Sequence, residues 1–113
     1  MAFSTHIFEE IERQKLNNLE KTRQEILRHC IAELKKYFKT VQVKSLYITG
    51  SLITPYRFST HSDIDIAAEG FPPDKYFLAI AELEEILSRK VEIIELENCR
   101  FAQKIIDTGL KII

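Results

Sequence analysis

The 113-residue sequence predicts an α/β (α+β) fold: a small mixed β-sheet with helices packed on it. Three observations carry that expectation. Apolar residues recur at helical spacing through the first third and again over 75–90. Three short β-branched runs lie between and after these segments. The order of elements reads helix, strand, short helix, strand, helix, strand, helix, which suits helices layered on one sheet.

Ser4 or Thr5 can cap a first helix beginning near His6. Leu16, Leu19, Leu27, Ile31, Leu34 and Phe38 then form one apolar face. Ile7, Phe8 and Ile11 extend it backwards, but Glu12-Arg13-Gln14-Lys15 has no apolar residue and Asn17-Asn18 are poor helix formers. The first turns are therefore either a separate helix or a segment that bends away. Their apolar residues either pack on the chain's own core or serve an interface.

Val43 to Thr49 reads as a strand ending at Gly50, and Ser51 to Phe58 as a helical turn or two followed by loop, with Pro55 inside it. Asp63 to Ala68 is a second strand and Glu69 to Asp74 a connection. Lys75 to Lys90 places Phe77, Ile80, Leu83 and Leu87 on one helix face. Val91 to Leu96 is a third strand, Asn98 caps a last helix that stops at Gly109, and Leu110 to Ile113 adds a short edge strand. The whole is expected to be one domain, 1–113: a helical segment 1–40, a core 43–96 and a C-terminal helix 98–113.

Composition narrows the function. Sixteen basic and 17 acidic residues give a net charge of −1, which supplies no overall positive field for nucleic acid. No apolar run approaches the ~20 residues of a membrane span, and Met1 to His6 lacks the basic start and apolar core of a signal peptide. The expected location is cytoplasmic. Cys30 and Cys99 are too few and too far apart for a disulfide framework or metal cluster, so both are expected to be reduced and structural, in helical segments.

Three groups carry chemistry. In Asp63-Ile64-Asp65-Ile66 the carboxylates, two residues apart on a strand, project to one face about 7 Å apart. A hard divalent cation such as Mg²⁺ would remove their repulsion, although an isolated Asp-x-Asp is equally at home on a solvent-facing strand. Gly50-Ser51 ends a strand and opens a turn, an arrangement that brings backbone N–H groups and a hydroxyl to a phosphate or serves as a plain cap. In Val91-Glu92-Ile93-Ile94-Glu95-Leu96, Glu92 shares a face with Ile94 and Leu96, and Glu95 with Val91 and Ile93. Periodicity alone does not choose between the two carboxylates.

Together, strand, Gly50-Ser51, short helix, Ser62-Asp63-x-Asp65 strand and a third carboxylate-bearing strand resemble the polymerase-β-like nucleotidyltransferases, and within them the minimal nucleotidyltransferase family, the antitoxin of HEPN/MNT toxin–antitoxin pairs. The likeness runs from about Val43 to Leu96. It aligns Glu92, not Glu95, with the family's third carboxylate. It implies a polymerase-β-like nucleotidyltransferase fold with Asp63, Asp65 and Glu92 as catalytic and metal-binding residues. Gly50 and Ser51 would orient the triphosphate. Two Mg²⁺ ions are implied as cofactors, ATP as substrate and a HEPN-type toxin as partner in a hetero-oligomer, with AMP transferred to a hydroxyl of that partner and pyrophosphate released. Two alternatives accompany this reading: a binding antitoxin with a weak or inactive site, and a stand-alone transferase.

The chain departs from the family pattern in two places. Eleven residues, Leu52 to Ser62, separate Ser51 from Asp63, one more than usual, and no Arg follows Gly50-Ser51 directly. Arg57 is the basic residue of that loop and the expected phosphate contact, with His61 the weaker candidate. Glu92 stands where Asp is more usual, its extra methylene moving the carboxylate by roughly 1.5 Å.

Overall fold

The computed structural model describes residues 3–113, with side chains from residue 5. One helix, α1, runs unbroken from Phe3 to Tyr37. The expected break over residues 12–18 does not occur, and neither does a start at His6. Helical backbone bonds do not depend on a continuous apolar face, and Asn17-Asn18 cost only a few tenths of a kcal/mol each. An exposed Arg13–Glu10 pair at i,i+3 adds a little support in the apolar gap. The helix already includes Thr5, which therefore does not cap it; the side chain of Ser4 lies outside the described residues.

The sheet has four strands in the order β3-β2-β1-β4: β1 Ser45–Thr49, β2 Ile64–Glu69, β3 Val91–Glu95 and β4 Leu110–Lys111. β1 pairs antiparallel with β2 and with β4, and β2 pairs parallel with β3 through the crossover helix α2, Tyr76–Leu87. The sheet is mixed, as expected. β1 starts two residues later than its β-branched run, although Val43 still packs on the core. β2 starts at Ile64, leaving Asp63 on the loop that feeds it.

The two sheet faces are covered differently. Leu46, Ile48, Ile64, Ile66, Ala68, Val91 and Ile93 point to one face, where Cys30, Leu34 and Phe38 of α1 and Ala79, Leu83 and Leu87 of α2 bury them. Tyr47, Ala67 and Ile94 point to the other, covered by Leu96 and by Ile105 of the short helix α3, Ala102–Thr108. α3 is too short to cover the whole of that face, so its β2–β3 end stays open.

Two helices end differently from their sequence patterns. α2 stops at Leu87, not Lys90, because Ser88 adopts a left-handed backbone (φ 53) and turns the chain towards β3. The Glu84 carboxylate accepts from the Val91 N–H across that turn. Leu96–Asn98 is a separate 3₁₀ turn and α3 starts at Ala102, so Asn98 caps nothing. Cys99 lies in the intervening turn, half-buried, not in a helix. Cys30 is buried in α1, and burial pushes its thiol up to about 11, which keeps it protonated and unreactive at neutral pH.

Candidate active site

The candidate site forms where β1 ends and β2 begins. Ile64 and Ile66, fully buried, fix the rotation of β2 about its axis. Strand alternation then turns Asp65 to the opposite face, and Asp63, one turn of the pleat earlier, is exposed at the strand's mouth. The parallel register sets Asp65 directly beside Glu92 of β3. Glu95 pairs in register with Ala68 and, by alternation, points to the other face. The three carboxylates Asp63, Asp65 and Glu92 are thus brought to one end of one face, while Glu95 is not.

That proximity has an electrostatic consequence. The Asp65 carboxyl is pushed up to about 6, first by burial, then by the negative charges of Glu92 and Asp63, and by a hydrogen bond with Glu92. At neutral pH the three charges are an unfavourable cluster that a cation would relieve. Among the described residues no three His, Cys, Asp or Glu side chains are already gathered at metal-binding spacing. Mg²⁺, however, is commonly held by one or two carboxylates together with substrate phosphates. The all-oxygen donors here fit such an ion.

Gly50 is tied to the same cluster. Its φ of +80 is a left-handed conformation that side chains rarely adopt, and a Cβ on it would stand 2.7 Å from the Asp65 Oδ2. The glycine thus lets the turn after β1 close down on the Asp65 carboxylate. Gly50–Ile53 forms a single 3₁₀ turn, with Ser51 half-buried in it. The Thr54 hydroxyl donates to the Gly50 carbonyl and the Thr54 N–H to the Ser51 carbonyl.

The longer loop from Ser51 to Asp63 is fastened along its length. Glu20 and Arg23 of α1 are buried and paired; Arg23 donates to the Leu52 carbonyl and the Tyr56 N–H donates to Glu20. Arg23 and the Tyr56 N–H hold the Glu20 carboxyl down at about 2. Farther along, Arg89 donates to the carbonyls of Thr60 and Ser62 and stacks over the buried Phe58 ring at 4.8 Å. Arg57, by contrast, is exposed on the Thr54–Phe58 stretch, its own N–H donating to Thr54.

Two open pockets flank the carboxylates. One, about 340 Å³, is lined by His61, Asp63, Ser88, Arg89 and Lys90 among others. The other, about 410 Å³, follows the β3 edge from Glu92 past Ile94 to Arg100 and Phe101. Arg89, Lys90 and Arg100 did not stand out in the sequence. The first two read as basic residues in the last turn of a helix, an ordinary place for them, and only the early end of α2 brings them to Asp63.

The family model described as "Polymerase beta, Nucleotidyltransferase" matches residues 32–113. The chain belongs to the polymerase beta nucleotidyltransferase family. The matched span contains all four strands and Asp63, Asp65 and Glu92. Among solved structures, the chain is similar to one described as the crystal structure of the toxin–antitoxin MntA–HpeT, in a mutant with two aspartates changed to glutamate. The TM-score is 0.64 at 16% identity, over 74% of this chain and 72% of that one. At that identity the likeness is one of fold. No curated protein matches the chain. Among the described residues no helix is long and apolar enough to cross a membrane.

Proposed function

We propose that the chain is a nucleotidyltransferase acting as the antitoxin of a toxin–antitoxin pair, moving AMP from ATP to a hydroxyl of a HEPN-type toxin in the cytoplasm. The observation that carries this reading is the convergence of Asp63, Asp65 and Glu92 at one end of the sheet, with the Gly50 turn closed against Asp65. The family match supports transferase chemistry, and the similar MntA–HpeT structure, described as a toxin–antitoxin, supports the kind of partner.

Asp63, Asp65 and Glu92 would hold Mg²⁺, which supplies neutralisation of the triphosphate's charge and acidifies the attacking hydroxyl. The Ser51 hydroxyl and the N–H groups of the Gly50–Ile53 turn donate to phosphate oxygens. Glu92, exposed where Asp65 is half-buried, accepts the proton of the acceptor hydroxyl. That oxygen then bonds to the α-phosphorus as the bond to the bridging oxygen breaks and pyrophosphate leaves. The β3-edge pocket beside Glu92 is open, as an acceptor presented by another protein requires.

The test is labelled ATP incubated with the chain and its toxin. Label on the α-phosphate is expected on the toxin, and label on the γ-phosphate in pyrophosphate. γ-label on the toxin would mean a kinase. No label from either, with the toxin still silenced in the complex, would leave an antitoxin that works by binding alone.

A further inference from the structure

The first half of α1 is a helix without a covering partner in the fold. Every residue from Thr5 to Leu19 is exposed, and burial begins at Glu20, where the helix meets the Gly50–Ile53 turn. Five large apolar side chains lie on this projecting half: Ile7, Phe8, Ile11, Leu16 and Leu19, with Phe8 66% exposed. The expectation that they pack on the chain's own core is excluded.

Their spacing is specific. Phe8, Glu12, Lys15 and Leu19 follow at steps of four, three and four, so at 3.6 residues per turn they fall within about 60° of one another on the helix surface. These are the seam positions of a heptad pattern. Ile11 and Leu16 flank the seam on either side. The stripe is also symmetric about its middle, between Arg13 and Gln14. Reversed end for end, Phe8 falls opposite Leu19 and Glu12 falls opposite Lys15. A parallel copy would instead set Glu12 against Glu12 and Lys15 against Lys15.

From this symmetry we infer that the projecting half of α1 pairs antiparallel with the same segment of a second copy of this chain, burying two Phe8–Leu19 layers around two central Glu12–Lys15 layers. The apolar layers supply the association. The charged layers fix direction and register and add little net affinity, as desolvated pairs generally do.

The decisive experiment combines sedimentation equilibrium with cysteine cross-linking of the full chain. The wild type is expected to sediment at twice the chain mass at high micromolar concentration. Phe8→Glu is expected to shift it to monomer with an unchanged circular dichroism melt, since Phe8 is exposed in the single chain. Glu12→Lys is expected to weaken the dimer about tenfold or more by setting like charges against each other, and the exchange Glu12→Lys with Lys15→Glu to restore it. Phe8→Cys mixed with Leu19→Cys should cross-link between the two variants. Neither should cross-link with itself, because antiparallel pairing separates identical positions 8 or 19 by about 16 Å along the axis. A chain monomeric at every concentration, a dimer indifferent to Phe8→Glu, or self-cross-linking of Phe8→Cys would overturn the inference. So would a monomer whose projecting helix is covered only when the toxin is added.

Discussion

Asp65 and Gly50 are fitted to each other: the Asp65 Oδ2 lies 2.7 Å from the position that a Cβ on Gly50 would take, too close for a side chain there. The turn that is proposed to hold the triphosphate and the strand that carries the carboxylates are therefore one unit. Gly50→Ala is expected to strain both, through the left-handed backbone and through contact with Asp65. A loss of about 1–3 kcal/mol in stability should accompany loss of transfer, read by thermal melts and α-label incorporation on the same preparations. An alanine variant with wild-type melting and rate would show that the turn is free of the carboxylate.

Asp65→Asn is expected to abolish transfer yet stabilise the metal-free protein at neutral pH. The Asp65 carboxyl holds its proton to about pH 6 in the fold, against an ordinary value of 3.8. Between those values the folded state binds more protons than the unfolded one, so stability falls as pH rises through that window. Discounted for partial exposure, the gain from Asn is about 1 kcal/mol at pH 7 to 8 and vanishes near pH 3. Melts of both proteins across pH 3 to 8 test this; a gap independent of pH would remove the electrostatic cause.

Nucleotide binding should depend on Mg²⁺ or Mn²⁺, because three clustered carboxylates and a triphosphate otherwise repel. Calorimetry of ATP with metal and with chelator should show binding only in the first. Equal affinity in both would remove the carboxylate cluster from the nucleotide site.

Glu92→Ala should lower transfer far more than ATP binding, while Glu95→Ala should do little. Glu92 stands beside Asp65 and Glu95 beside Ala68. Single-turnover rates set against ATP affinity separate the two effects, and the reverse ranking would assign the third carboxylate to Glu95.

Arg23→Ala should loosen the Leu52–Tyr56 stretch without touching the carboxylates. It removes the donor to the Leu52 carbonyl and strands Glu20, whose partner holds its carboxyl low. Hydrogen exchange is expected to quicken at Leu52 to Tyr56 and the melting temperature to fall by several degrees. Unchanged exchange there would mean that α1 does not hold the loop.

Alternation was enough to read most of the strands and the face on which Asp65 lies, because side-chain period in a strand is local geometry; Asp63, on the loop before β2, lies outside that argument. The Gly50-Ser51 turn and the family resemblance were equally legible, since they rest on residue identity and spacing. Other features needed the folded chain. Period left Glu92 and Glu95 equivalent; the resemblance singled out Glu92, and its place beside Asp65 comes from the parallel register of β2 and β3. Arg57, the basic residue of the loop by sequence, stands exposed, whereas Arg89 and Lys90 reach Asp63's pocket because a left-handed Ser88 ends α2 early. The apolar gap at Glu12 to Lys15 suggested a break in α1, yet the helix continues, since backbone hydrogen bonds and not burial sustain it there. Sequence by itself determined which residues can share a face; which faces meet, and which stay open, was decided by strand order, register and helix ends, all of which join residues far apart in the chain.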